Sequence, residues 1–146
     1  MTMNIEPPDG FEPVTLAQLV EKIRIVAATE PDRVYVADPD VPECNYRPNK
    51  FNSCGCIVGE GLAEAGVPVS VLAELDAGSA EPLGDQTGVG WGDPQCKQIL
   101  ARYVTSRALN SKWVRYVQSA QDAHLPWGDA VREADRQSAM HEWARA

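Results

Sequence analysis

At 146 residues, with 44% hydrophobic and 23% charged residues, the chain has the size and the apolar content of one ordinary domain. Its formal net charge of −8 weighs against general nucleic-acid binding, which favours a basic face over a whole domain. No run approaches the ~20 apolar residues of a membrane span, and Met1 to Pro13, acidic and proline-rich, does not read as a secretory leader. The expected setting is therefore a cytoplasm, with no membrane partner.

Pro7, Pro8, Gly10 and Pro13 make residues 1–13 a flexible, extended lead-in. Thr15 followed by Gln18 forms a capping box. Behind it Leu16, Leu19, Val20, Ile23, Val26 and Ala27 recur at helical spacing as one apolar stripe, with Glu21, Lys22 and Arg24 on the wet side. Pro31 ends that helix. The alternation Arg33-Val34-Tyr35-Val36-Ala37 predicts a strand, with Glu43 to Tyr46 returning, so a minor β-hairpin is expected near 33–46. A helix is expected over Cys54 to Ala65, capped by Ser53 and stopped by Gly66. Gly59 and Gly61 inside it cost about 1 kcal/mol each relative to alanine, which close packing against another helix would offset.

Pro68 suits a first helical turn, so Val69 to Leu75 is a short helix with Val71, Leu72 and Leu75 inward. Asp76 to Pro94, glycine-rich and without periodicity, predicts a long loop. Asp93 or Pro94 opens the next helix, with Ile99, Leu100, Tyr103, Val104 and Ala108 on one face. Asn110-Ser111 breaks and recaps it, and Lys112 to Ala123 follows with Trp113, Val114, Val117 and Ala120 inward. Pro126-Trp127-Gly128 starts the last helix, where Met140 and Trp143 fall out of phase. The expected fold is mostly α. It is a single helical domain over 14–138, of about five helices with the minor hairpin and the loop 76–94, followed by a tail at 139–146.

The charges are sorted along this framework. Between Lys50 and Lys97 there is no basic residue, while Glu60, Glu64, Glu74, Asp76, Glu81 and Asp85 are acidic. Between Asp93 and Asp122 there is no acid, while Lys97, Arg102, Arg107, Lys112 and Arg115 are basic. Residues 1–90 hold 5 Lys+Arg against 15 Asp+Glu, and residues 91–146 hold 8 against 6. Such segregation makes a dipolar surface, which governs what approaches and in which orientation.

Motifs with chemistry are sparse. Cys44, Cys54, Cys56 and Cys96 could supply a tetrahedral zinc site, but C-x9-C-x-C with a distant fourth lacks the usual C-x2-4-C knuckle. Buried structural thiols are the plainer reading. Cys54-Gly55-Cys56 at a helix start would favour a thiolate, although His124 and His141, the only histidines to serve as a base, are remote in sequence. His124 ends its helix beside an apolar stripe, where a cation is favoured. Gly55, Gly59 and Gly61 match neither phosphate-loop pattern. No catalytic residue, metal ligand or cofactor is assigned. Trp91, Arg102, Arg107 and Arg115 remain as partner-binding candidates, because aromatic and arginine side chains anchor interfaces when exposed.

Two segments carry a resemblance. Residues 54–67, C-G-C-I-V-G-E-G-L-A-E-A-G-V, and residues 113–135, with V-Q-S-A-Q-D and P-W-G-D-A-V, resemble small uncharacterised proteins of actinobacteria and their phages, many from mycobacteriophages. The resemblance implies expression inside a bacterial host and brings no assigned activity.

These observations favour a non-enzymatic accessory protein that engages a host protein through its charge-segregated surface, or a second copy of itself in a homo-oligomer. Two alternatives stand beside it. One is a small-ligand, nucleotide-type binding protein whose pocket is rimmed by Arg102, Arg107 or Arg115. The other is a zinc protein or enzyme built on the cysteines.

Overall fold

The computed structural model describes residues 7–35, 56–77 and 91–145. Among these the chain forms seven helices: α1 (Leu16–Thr29), α2 (Ile57–Glu64), α3 (Val69–Ala77), α4 (Pro94–Leu100), α5 (Ser106–Leu109), α6 (Lys112–Asp122) and α7 (Trp127–Arg145). No strand is present among the described residues, and the sole β feature is an isolated parallel bridge between Val14 and Val104. Val36 to Tyr46, most of the expected hairpin, lies outside the described residues, as does the 78–90 part of the expected loop.

Local chemistry sets most helix ends. The Thr15 hydroxyl accepts from Gln18 N–H at 3.2 Å and Gln18 Oε1 accepts from Thr15 N–H at 3.0 Å, which completes the capping box of α1. Residue Cys56, not Ser53, caps α2: its Sγ accepts from Gly59 N–H at 3.4 Å. α2 closes in a Schellman motif, with Gly66 N–H on Ala63 O and Val67 N–H on Leu62 O, both at 3.0 Å. Gly66 takes φ +99° there. α6 closes in the same pattern, with His124 N–H on Gln121 O at 3.0 Å and Leu125 N–H on Ala120 O at 3.2 Å. The left-handed position, φ 68°, is filled by histidine. His124 is therefore exposed beyond the helix end rather than set against the apolar stripe.

The chain departs from helical phase at Ala101. Tyr103 and Val104 continue the apolar spacing of α4, yet their backbone pairs with the segment before α1: Val14 N–H donates to Tyr103 O at 2.8 Å and Thr105 N–H to Val14 O at 2.9 Å. The Thr105 hydroxyl then caps α5 through Ala108 N–H at 3.4 Å. One expected helix is thereby two. Phe11 packs edge-on against the Tyr103 ring, 5.4 Å between centroids, so the lead-in is anchored at that point. At the other end the backbone of α7 stays helical through Arg145, past the boundary expected for a tail.

α1 packs on α2 and α6 on α7, and contacts of α2 with α6 and of α1 with α7 join the pairs. α3, α4 and α5 pack in series and return to α1. Leu19, Ile23, Ile57, Leu62, Val114, Val117 and Trp127 are fully enclosed between these layers, each aliphatic among them worth about 1.5–3 kcal/mol of burial. Gly61 permits the α1–α2 approach, since a Cβ there would lie 2.5 Å from Ile23 Cγ1. Gly128 lets α7 start against Pro31: its N–H donates to Pro31 O at 2.9 Å, and Trp127 N–H donates to Arg33 O at the same distance.

Candidate functional site

The apolar residues of α1 belong to two faces rather than one. Leu19, Ile23 and Ala27 point into the core. Leu16, Ala17, Val20, Ile25 and Ala28 instead line an outward groove of about 1090 Å³. Ile25, at the crest, is 45% exposed. The far wall is the start of α5, held beside the N-terminal end of α1 by the Val14–Val104 bridge, and it contributes Thr105 and Arg107.

Charge is graded along this helix. Arg107 lines the groove at the N-terminal end of α1, where the first turn carries no acid. A second hollow of about 360 Å³ shares Ile25 with the groove and lies toward the C-terminal end, where the last turn carries no base. Its walls include Glu30, Glu60, Glu64 and Trp127. Arg33 approaches Glu30 at 3.6 Å. A helix bears partial positive charge at its N-terminus and partial negative charge at its C-terminus. The side chains at each end therefore add to that polarity instead of cancelling it.

One charged residue of the groove is committed internally. Arg24 Nη1 donates to Asp135 Oδ2 at 2.9 Å and Nη2 to Oδ1 at 2.6 Å, a fork-on-fork pair. Trp113 Nε1 also donates to Asp135 Oδ1 at 2.9 Å, and the guanidinium lies 5.1 Å from the Trp113 ring centroid. The bond to Arg24 is the main cause that holds the Asp135 carboxyl below its ordinary value, with Trp113 adding to it against partial burial. This cluster ties α1 to α6 and α7 and leaves Arg107 and the exposed Glu21, one cation and one acid, as the groove's other charges.

Of the four candidate anchors, Trp91 belongs to the interior. It is 3% exposed, its N–H donates to Gln118 Oε1 at 2.9 Å, and its indole N–H donates to Ala108 O at 3.2 Å. Arg102 is exposed in the turn between α4 and α5, and Arg115 is exposed on α6 with its stem beside Gly92. The groove takes in Arg107 and neither of the other two arginines.

The cysteines described are interior. Cys56 and Cys96 are free and fully buried, and desolvation is the main cause that pushes the Cys96 thiol up to about 11. No group of three or more His, Cys, Asp or Glu able to hold a metal occurs among the described residues. Cys44 and Cys54 lie outside them, so the zinc arrangement falls there too. Among the described residues no helix is long and apolar enough to cross a membrane.

Sequence reasoning missed two buried glutamines. Gln121, fully enclosed, accepts from Ile57 N–H at 2.8 Å and so satisfies the start of α2, while its amide donates to Asp122 at 2.6 Å. Gln118 does the same service for Trp91. The signal was their phase: they fall four and seven residues after Val114, on the apolar side of α6. Compared with family models, with curated proteins and with solved structures, the chain matches none.

Proposed function

We propose that this protein is a non-enzymatic docking module, an accessory protein of a phage or bacterium, that binds a host protein through the outward face of α1. The observation that carries the reading is the groove itself. An apolar strip of Leu16, Val20, Ile25 and Ala28 is rimmed by Glu21, Arg24 and Arg107, and beyond the Ile25 crest Glu60 and Glu64 line a second hollow on the other flank of α1. Apolar strips rimmed by charge are characteristic of protein-binding surfaces, and opposed poles fix the orientation of what binds. The burial of both described thiols, and a groove that takes in Arg107 but neither Arg102 nor Arg115, favour this reading over the cysteine-based and nucleotide-type alternatives.

The test is differential capture. Ala17 is exposed in the first turn of α1, where the helix dipole favours a carboxylate, so Ala17→Glu blocks the groove without harming the helix. Wild-type bait should retain from an actinobacterial lysate at least one protein that Ala17→Glu bait loses. The same proteins retained by both baits would refute the reading.

A further inference from the structure

We propose that the second hollow, between the C-terminal ends of α1 and α2 and the start of α7, is a binding site for a small organic ammonium ion that also carries a hydrogen-bond-accepting oxygen. The inference goes beyond the docking reading and does not depend on it, because the site lies on the other flank of α1.

The electrostatics of the walls call for a cation. Val26 and Thr29 of the last turn of α1 and Glu64 of the last turn of α2 share the hollow. Neither of those turns carries a base, so two helix termini of partial negative charge converge on one space. Glu30 and Glu60 line it as well, and Glu30 meets Arg33 at 3.6 Å. Thr29 Oγ1 donates to Ile25 O at 2.9 Å, which leaves its hydroxyl oxygen as a further acceptor. A bare metal ion does not fit. No group of three or more His, Cys, Asp or Glu able to hold one occurs among the described residues. An ammonium group needs no closed shell of ligands, and its hydrocarbon stem can lie against Ile25 and Val26.

The second observation is a buried donor. Trp127 lines the hollow and is fully enclosed. Its backbone N–H donates to Arg33 O at 2.9 Å, and the Arg33 guanidinium lies 5.4 Å from the ring centroid. The indole N–H has no acceptor among the described residues. Buried donors are nearly always paired, so whatever fills the hollow brings this one an acceptor. Carboxylates and an indole donor in the same walls select a molecule with opposite features at its two ends. The ammonium faces Glu60 and Glu64, and the oxygen accepts from Trp127. The volume of about 360 Å³ sits at the low end of the range for small-molecule sites, about 300–1,000 Å³. The ligand is therefore of amino-alcohol or amino-amide size.

Titration followed by the Trp127 indole N–H signal in nitrogen–proton correlation NMR tests this. The probes are aminopentanol, with ammonium and hydroxyl at opposite ends, pentylamine, which lacks the oxygen, and pentanol, which lacks the ammonium. Aminopentanol should shift the Trp127 signal saturably and bind at least about threefold tighter than pentylamine, the difference one hydrogen bond makes. Pentanol should not bind. Glu64→Gln, at an exposed site, should keep the wild-type circular-dichroism spectrum and weaken aminopentanol by about threefold or more. Trp127→Phe should bring aminopentanol down to the affinity of pentylamine. If that variant does not fold, the comparison of the two amines on wild-type protein decides the same point. No saturable shift at about 10 mM aminopentanol, weaker than any specific fragment of this size, would overturn the proposal and leave the indole N–H to water. Equal affinity for the two amines, or binding of pentanol as tight as that of aminopentanol, would overturn it too.

Discussion

Replacing Gln121 by methionine probes the interior contact that sets α2 in place. Methionine keeps the length of the side chain and removes both hydrogen-bonding groups. Ile57 N–H is one of the first amides of α2 and has no acceptor within that helix. Its acceptor is Gln121 Oε1 at 2.8 Å, and both residues have zero exposure, so water cannot substitute. An orphaned buried donor costs about 1–3 kcal/mol. The lost amide bond to Asp122 adds little, since that contact is part-exposed, and the extra apolar burial of methionine returns up to about 1 kcal/mol. The net expectation is a loss of about 1–2 kcal/mol. At about 2–4 °C per kcal/mol for a chain of this size, the melting temperature falls by about 2–8 °C. Urea denaturation gives the free energy, and native-state hydrogen exchange should show Ile57 losing protection selectively. A variant within about 0.5 kcal/mol of wild type, with Ile57 still protected, would refute the capping role.

Three further outcomes follow from particular contacts. His124→Gly should stabilise by about 0.5–1 kcal/mol, because glycine tolerates the φ of 68° that closes α6; a lower urea midpoint would contradict this. Gly61→Ala should destabilise by about 1–2 kcal/mol despite alanine's better helix propensity, because its Cβ meets Ile23 Cγ1 at 2.5 Å, and an unchanged or higher melting temperature would show that α1 yields easily. The Arg24–Asp135 pair, with side chains 46% and 45% exposed, should contribute no more than about 1 kcal/mol. Asp135 has a lowered folded-state pKa, so that contribution is complete above the ordinary carboxylate range and disappears as pH falls through the folded value. Asp135→Asn should accordingly narrow the stability gap between neutral pH and about pH 3. An unchanged gap would mean that the pair is energetically silent.

Much of the helical framework was legible because helix ends are written in local chemistry. Thr15 with Gln18, Gly66, Pro68, Pro94 and Ser111 each act through neighbours within a few residues, so they could be placed without the fold. The failures share a different cause. Tyr103 and Val104 keep helical phase, but a distant backbone at Val14 takes them out of the helix. Ser53 is a better cap by residue type than Cys56, yet α2 begins where Gln121 can reach Ile57. Trp91 reads as an anchor from its glycine-rich surroundings, whereas Gln118 and Ala108 O draw it inward.

The groove was hidden for the same reason. Periodicity put Leu16, Leu19, Val20, Ile23, Val26 and Ala27 on one apolar stripe, but the placement of α2 and α5 leaves Leu16 and Val20 on an open flank with Ala17, Ile25 and Ala28. Arg107 was named from its charge block; that it walls an apolar groove on one flank of α1, with Glu60 and Glu64 in a hollow on the other flank, needed the tertiary contacts. The charge segregation visible along the sequence is thereby given a location.

The most direct measurement is the isoleucine methyl NMR spectrum followed as the protein is concentrated or titrated with a captured partner. If the outward face of α1 is the binding surface, the Ile25 methyl signal moves with association while those of the buried Ile23 and Ile57 hold still. An Ile25 signal that stays fixed while binding proceeds would place the interface elsewhere and contradict the account.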